Sequence, residues 1–371
     1  MKQGKAQAYV RQLCCLGLSK EIMLPELLRS LHSLIPSEDN FFAGLDQNYS
    51  PAYVLAEQFA FEALDIYLNQ PAQLFTPEYN IRAVQWFTAH RVLPDFRILD
   101  QRFYQRDFYH LVMRLSNHHY ALQGAVSQSG RIVGMVVLCR PPNQPPFNAS
   151  HRQQFEQVLP YLDHGLQTAR SETHQDYVDS GRSGLIILSR DGTVVSLSKA
   201  ARTLLFLATY GALPAGQIHF SRAVAMPPAL RQVCARLDQI FQEKDAPPPV
   251  DIQTNAGGRF IFRAHWLDPP TFNVGGDGLG ASLTAHTLIG VTIDHQEPLR
   301  LRLCRAMHGS RLSIREQDVC LALADNLSYP AIAARLHLSP STVVTYIRRI
   351  HEKLGTNSRE ELLKALLSLA K

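Results

Sequence analysis

Long apolar runs are missing from this 371-residue chain. No stretch approaches the ~20 apolar residues that a membrane-spanning helix needs, so no membrane contact is expected. The opening MKQGKAQAYVRQLCCLGLSK lacks the apolar centre of a signal peptide, and the cytoplasm is the expected compartment. Paired cysteines are missing too. Cys14, Cys15, Cys139, Cys234, Cys304 and Cys320 form no CxxC pair and read as reduced thiols, with Cys14-Cys15 as small apolar residues of an N-terminal helix. The signatures of catalysis are absent: there is no GxSxG, no HExxH and no phosphate-binding loop. The glycine-rich Val274–Gly280 fails the GxGxxG spacing and reads as a flexible loop between two strands. His118-His119 would fall on opposite faces of a strand, and His32, His90, His110 and His164 show no ligand spacing. No enzyme activity, metal or cofactor is expected.

What is present is enough apolar material for real cores, 46% of residues against 19% charged, in a chain long enough for two or three domains. The net charge of +5 permits an anionic partner without demanding one. Leu24, Leu27, Leu28, Leu31 and Leu34 recur at helical spacing, and further helices are expected near Ala52–Leu68 and Arg102–Arg114. Tyr120–Ser127 and Ile132–Cys139 read as a hairpin, closed by a helix from about Ser150 to Arg170. A second zone opens with Leu185–Leu188 and Val194–Leu197 about an Arg-Asp-Gly turn. Helices at Lys199–Thr209 and Pro228–Gln242 follow, then strands at Asp251–Thr254, Arg259–Trp266 and Leu283–Ile293.

The last sixty residues carry sharper signals. Ser313-x-x-Glu316 and Ser358-x-x-Glu361 are capping boxes, each opening a helix. Between them a short helix from Ser328 ends at His337-Leu338. Ser339 is then an N-cap, Pro340 a first helical residue and Gly355 a left-handed C-cap. Val343, Ile347, Ile350 and Leu354 line one stripe of the helix so defined, and the opposite face holds Ser341, Thr345, Arg348 and Glu352, flanked by Val344 and Arg349. Four short helices with a three-residue turn between the second and third form a helix-turn-helix, whose outer helix fits the major groove. Short Ser341 and Thr345 allow close approach to base edges, Val344 can touch a thymine methyl, and Thr342 joins them as a candidate DNA-binding residue; Arg348 can reach a guanine or a phosphate, and Arg349 and Lys353 suit phosphates.

This module resembles the LuxR-type DNA-binding domain through Leu312, Arg315-Glu316, Val319, Leu323-Ala324, Leu327-Ser328, Ile332-Ala333, Leu336, Leu338-Ser339, Thr342-Val343, Ile350, Lys353-Leu354-Gly355 and Arg359. The C-terminal helix-turn-helix of sigma factors is a weaker second match. Asn326 and His337 stand where the family generally has glycines, Val344 where it has lysine and Tyr346 where it has histidine. SGLIILSRDGTVVSLSKAARTLL resembles the opening of a PAS-type sensor domain, and ALQGAVSQSGRIVGMVVLCRPPNQPPF resembles a GAF-type one.

The expected architecture is multidomain α+β: a GAF-like antiparallel-sheet sensor over residues 1–171, a PAS-like one over 172–297, a linker helix over 298–311 and an all-α four-helix helix-turn-helix domain over 312–371. The expected function is transcription regulation, controlled by an unidentified small-molecule effector or partner acting on the upstream domains. Aromatics around Trp86, Phe103, Tyr104 and Phe108, or around Phe260, Phe262 and Trp266, are candidates for a pocket lining as well as for plain core. Eight basic residues against six acidic ones in the module give little attraction to one copy, so a homodimer on double-stranded DNA is expected, with RNA polymerase as a further partner. Candidate pairing surfaces are the last helix and the helices near Ser150–Gln175 and Pro298–Met307. The alternative is an anti-activator whose helix-turn-helix contacts protein.

Overall fold

The structure, a computed structural model, describes residues 2–57, 66–67, 74–168, 176–210, 213–214, 228–241, 248–267, 271–275, 278–282 and 288–369. Among them no helix is long and apolar enough to cross a membrane.

Helices α1 (Lys2–Cys14) and α2 (Lys20–Leu31) open the chain, and Leu24, Leu27, Leu28 and Leu31 are all buried on the expected stripe. Five strands follow: β1 (Asp39–Leu45), β2 (Pro51–Ala56), β3 (Val92–Leu93), β4 (Tyr120–Gln128) and β5 (Arg131–Arg140), with α3 (Pro77–Ala89) before β3 and α4 (Ala149–Gln167) after β5. The second sheet holds β6 (Tyr177–Ser189), β7 (Val194–Leu197), β9 (Val250–Asn255), β10 (Gly258–Trp266) and β13 (Leu288–Pro298). Its helices are α5 (Lys199–Tyr210) and α6 (Pro228–Phe241). Between α5 and α6, the two-residue strand β8 (Leu213–Pro214) pairs with Tyr53 and Val54 of the first sheet, across the division expected at residue 171. The ribbon β11 (Thr271–Gly275) and β12 (Gly278–Ser282) pairs with itself.

The sheets are antiparallel throughout, and with β8 set aside both have the same order. Numbering each sheet's strands along the chain, the order is second, first, fifth, fourth, third. The first sheet is covered on both faces. Phe42, Leu122, Val136 and Leu138 meet α2 and α4, whereas Ala43, Ala121, Ala125 and Val137 point into an aromatic cluster on the other side, as the two-residue strand period requires. Gly124 lets α4 approach: a Cβ there would lie 2.7 Å from both Leu159 and Phe155.

Four expectations need correction. Ala52–Leu68 was expected to be helical, but Pro51–Ala56 is extended and paired with β1; residues 58–65 and 68 lie outside the described residues. A short apolar run such as AYVLA reads equally well either way, and the neighbouring strand decides. Arg102–Arg114 is not one helix but a 3-10 turn at Phe103–Gln105 and a single π-helical segment at Phe108–Met113. Five residues along a regular α-helix would place Phe103 and Phe108 about 140° apart. The break instead brings both onto one cluster, with ring centroids 5.8 Å apart. Val274–Gly280 is largely strand rather than loop, with residues 276–277 outside the described set. The strand expected at Leu283–Ile293 runs over Leu288–Pro298, and residues 283–287 are not described.

The last strand passes directly into α7 (Leu299–His308), which occupies the segment expected to link the upstream domains to the C-terminal module. Leu301, Leu303, Cys304 and Met307 of α7 are buried, and one continuous apolar core joins α1, α2, α4, α7 and the C-terminal helices. The helix near Pro298–Met307 therefore spends its apolar side within the chain. All six cysteines are free; burial pushes the Cys234 and Cys320 thiols up to about 11 and about 12, so they behave as apolar residues.

Candidate nucleic-acid interface

Helix α8 (Ile314–Ala324) begins at the Ser313–Glu316 capping box: the Ser313 N–H donates to Glu316 Oε2 at 2.6 Å and the Glu316 N–H to Ser313 Oγ at 3.4 Å. Helix α9 (Tyr329–Leu336) follows. Asn326 and His337, the two residues in place of glycines, both adopt left-handed backbone, at φ 60° and 53°. Each turn keeps its course at the cost of a Cβ in a sparsely populated region. Helix α10 (Pro340–Leu354) starts where Ser339 Oγ accepts from the Thr342 N–H at 3.1 Å and ends at Gly355, φ 64°. Helix α11 (Arg359–Leu369) packs back through Leu362 and Leu366.

Val343, Ile347 and Ile350 of α10 are buried against α8, α9 and α11, each side chain contributing about 1.5–3 kcal/mol through the area it removes from water. That seam fixes the helix's rotation and turns Ser341, Val344, Arg348 and Arg349 to solvent. Thr342 and Thr345 are half-buried. Thr342 Oγ1 lies 2.7 Å from Ser339 Oγ, and Thr345 Oγ1 donates to the Ser341 carbonyl at 3.0 Å. Arg348 lies along its own helix, with Nε 3.6 Å from Glu352 Oε1, both side chains largely exposed. Such a pair is weak in water and opens readily for a phosphate or base edge.

Lys353 pairs within the module. Its Nζ donates to both Glu316 carboxylate oxygens, at 2.8 and 2.7 Å, and the Glu316 side chain is only 3% exposed. Burial opposes the Glu316 charge, but the Lys353 ammonium and the Ser313 groups outweigh it and hold the carboxyl below its usual range. One carboxylate thus caps α8 and anchors the end of α10. Spacing does not reveal this partner, which lies 37 residues away in the chain.

The module is fastened to the chain by polar contacts as well as by the shared core. Gln12 Nε2 donates to Asp318 at 3.1 Å. Asp325, at the end of α8, takes Arg300 of α7 at 3.2 Å and Arg335 of α9 at 2.6 Å. Deeper in the junction Arg305 bridges Glu26 of α2 at 2.8 Å and Glu297 of β13 at 2.9 Å, while the Tyr9 hydroxyl donates to Glu26 at 2.6 Å. Burial works against the Glu26 charge, yet bonds from Arg305 and Arg29 bring that carboxyl down to about 2. Glu297 is instead pushed up by burial. No sequence signal announced this cluster, because Tyr9, Glu26 and the Glu297–Arg305 stretch lie far apart in the chain.

Residues 310–366 match the family model described as bacterial regulatory proteins, luxR family. The C-terminal unit is a LuxR-type helix-turn-helix domain. Probable transcriptional regulatory protein NarL of Mycobacterium tuberculosis is 50% identical over 48 residues, 13% of this chain, and the chain spans only 22% of that relative's length. Among solved structures, the Vibrio cholerae VqmA dimer in the absence of target DNA is 16% identical, covering 51% of this chain and 84% of that one, with a TM-score of 0.16. The sensor region of a sensor histidine kinase is 15% identical over 46% of this chain and 63% of that one, with a TM-score of 0.18. At such scores the chains do not superpose as wholes. The LuxR-type domain accounts for α8 to α11; the two sheets stand outside the family match.

Proposed function

We propose that this chain is a DNA-binding transcription regulator that lays α10 in the major groove. The observation that carries the reading is the outward face of α10: Ser341, Val344, Arg348 and Arg349 are exposed while Val343, Ile347 and Ile350 lock the opposite side into a LuxR-type domain. Thr342 and Thr345 flank that face. Arg349 has no ion-pair partner among the described residues, and Arg348 has only the exposed Glu352. With Lys353 held by Glu316, the phosphate-binding charge per copy is small, which favours binding as a homodimer on two half-sites.

The shared order of the two sheets supports reading the upstream units as GAF-like and PAS-like sensors. Their state would set how two LuxR-type domains are presented, with α7 as the coupling element.

The test is enrichment from a random duplex pool with the full chain, then gel shifts at two salt concentrations. Arg348→Ala is expected to weaken binding by about 1–3 kcal/mol and relax one base position. A pool that yields no enriched sequence would transfer the module to the protein-contact class. Light scattering that finds only one copy, with and without the enriched DNA, would remove the homodimer.

A further inference from the structure

Three side chains able to share protons meet on the aromatic side of the first sheet. Asp39 of β1 and Cys139 of β5 are direct cross-strand partners, so their side chains leave the sheet on the same face. His118, just ahead of β4, is 8% exposed and completes the group. Its Nε2 lies 3.2 Å from Asp39 Oδ2, and its ring is hydrogen-bonded to the Cys139 side chain. All three line one chamber of about 570 Å³ of unfilled space, part of it open to solvent, whose other walls include Phe41, Val54, Phe108 and Val137. Burial opposes a charge on His118, yet Cys139 and Asp39 outweigh it and push the imidazole up to about 10. The ring therefore holds its second proton at neutral pH, between a carboxylate and a sulfur. An imidazolium against a thiol favours the thiolate, which is the form that attacks. Burial raises the other five thiols.

We propose that Cys139, His118 and Asp39 form a nucleophilic site that captures a carbon electrophile, an α,β-unsaturated carbonyl, as a thioether. The electrophile follows from the nucleophile: sulfur is soft and polarisable and adds to a soft carbon centre. The apolar walls receive its carbon skeleton. In the step, a Cys139 sulfur lone pair forms a bond to the β-carbon, the carbon–carbon π bond breaks, and its electron pair moves onto the α-carbon and the carbonyl oxygen. His118 gives its proton to the enolate so formed and returns to neutral imidazole. Nothing leaves, and no oxidant or reductant is consumed. Asp39 is a positioning residue that turns the ring and supports its charge. Leu138, beside Cys139 on β5, points to the opposite face, into the core that runs through α4 to α7, so an adduct bears on the strand that carries that core.

The test is alkylation of the reduced full chain, without DNA, by N-ethylmaleimide, itself an α,β-unsaturated carbonyl compound, followed cysteine by cysteine with peptide mass spectrometry. Cys15 is exposed and serves as the internal reference. At about pH 6 Cys139 should react about tenfold faster than Cys15 although it is only 1% exposed, because an ordinary thiol is then under about 1% thiolate. Raising the pH to about 8 should speed Cys15 about a hundredfold and Cys139 by less than about tenfold. The titratable groups facing the sulfur over this range are His118 and Asp39, with Tyr67 on another wall kept protonated by burial. His118→Gln should slow Cys139 about tenfold at the lower pH and give it the pH slope of Cys15. Asp39→Asn should do the same by a smaller factor, and both should leave Cys15 unchanged. Should a variant fail to fold, judged by exchange protection of β4 and β5, the comparison of Cys139 with Cys15 in the unaltered chain decides alone. Cys139 slower than Cys15 at the lower pH, an equal pH slope for the two, or an indifferent His118→Gln in a folded chain would each overturn the site. That failure leaves the reading of α10 untouched.

Discussion

Removing the Lys353 ammonium separates two accounts of that residue. In the structure it is held by both oxygens of a carboxylate that is 3% exposed, so Lys353→Ala leaves Glu316 with Ser313 alone among these partners. Breaking a fully buried ion pair costs about 3–5 kcal/mol. The Lys353 side chain is 39% exposed, so water screens the charge and enters when the amine leaves, and a loss of about 1–3 kcal/mol is expected. Hydrogen exchange in the full chain reads it locally: amides of α8 and α10 should lose protection together, while those of β4 and β5 keep theirs. The double variant with Glu316→Gln should cost less than the two single changes added. The pH dependence has a fixed sign. The folded carboxyl lies below its unfolded value near 4.3, so the pair's contribution is complete above about pH 4.3 and is lost as pH falls through the folded value. Unchanged protection in Lys353→Ala, with DNA binding uniformly weaker and less salt-dependent, would refute this and restore Lys353 as a phosphate ligand.

Three other outcomes follow from the packing. Arg305→Met leaves Glu26 with Arg29 and Tyr9 and Glu297 with Arg302, and should cost about 1–3 kcal/mol, seen as cooperative loss of exchange protection in α2 and α7. His295 is depressed to about 4, chiefly by burial, so its contribution is complete above about pH 6.5 and lost as pH falls toward 4; nuclear magnetic resonance titration of its ring should find it mostly neutral at pH 5. Gly124→Ala places a methyl against Phe155 and Leu159 and should destabilise the first sheet by about 1–3 kcal/mol, checked by denaturant unfolding followed on α4 amides.

The sequence by itself determined the C-terminal module. Its signals are local: caps lie three residues from the groups they satisfy, and the stripe of Val343, Ile347 and Ile350 sets which side of α10 faces out. Hairpins were legible for the same reason, since turn chemistry and strand alternation span a few residues. Only the tertiary structure decided what depends on distant segments. Pro51–Ala56 is a strand because β1 lies beside it, and Phe103 and Phe108 break their helix to reach one cluster. Phe108, named in advance as a candidate for pocket lining or plain core, lies in the aromatic cluster on one face of the first sheet. The engagement of Lys353 and the Glu26–Arg305–Glu297 cluster are likewise invisible to spacing. A charge shows its type in the sequence, but its partner and its desolvation arise only when the chain closes around it.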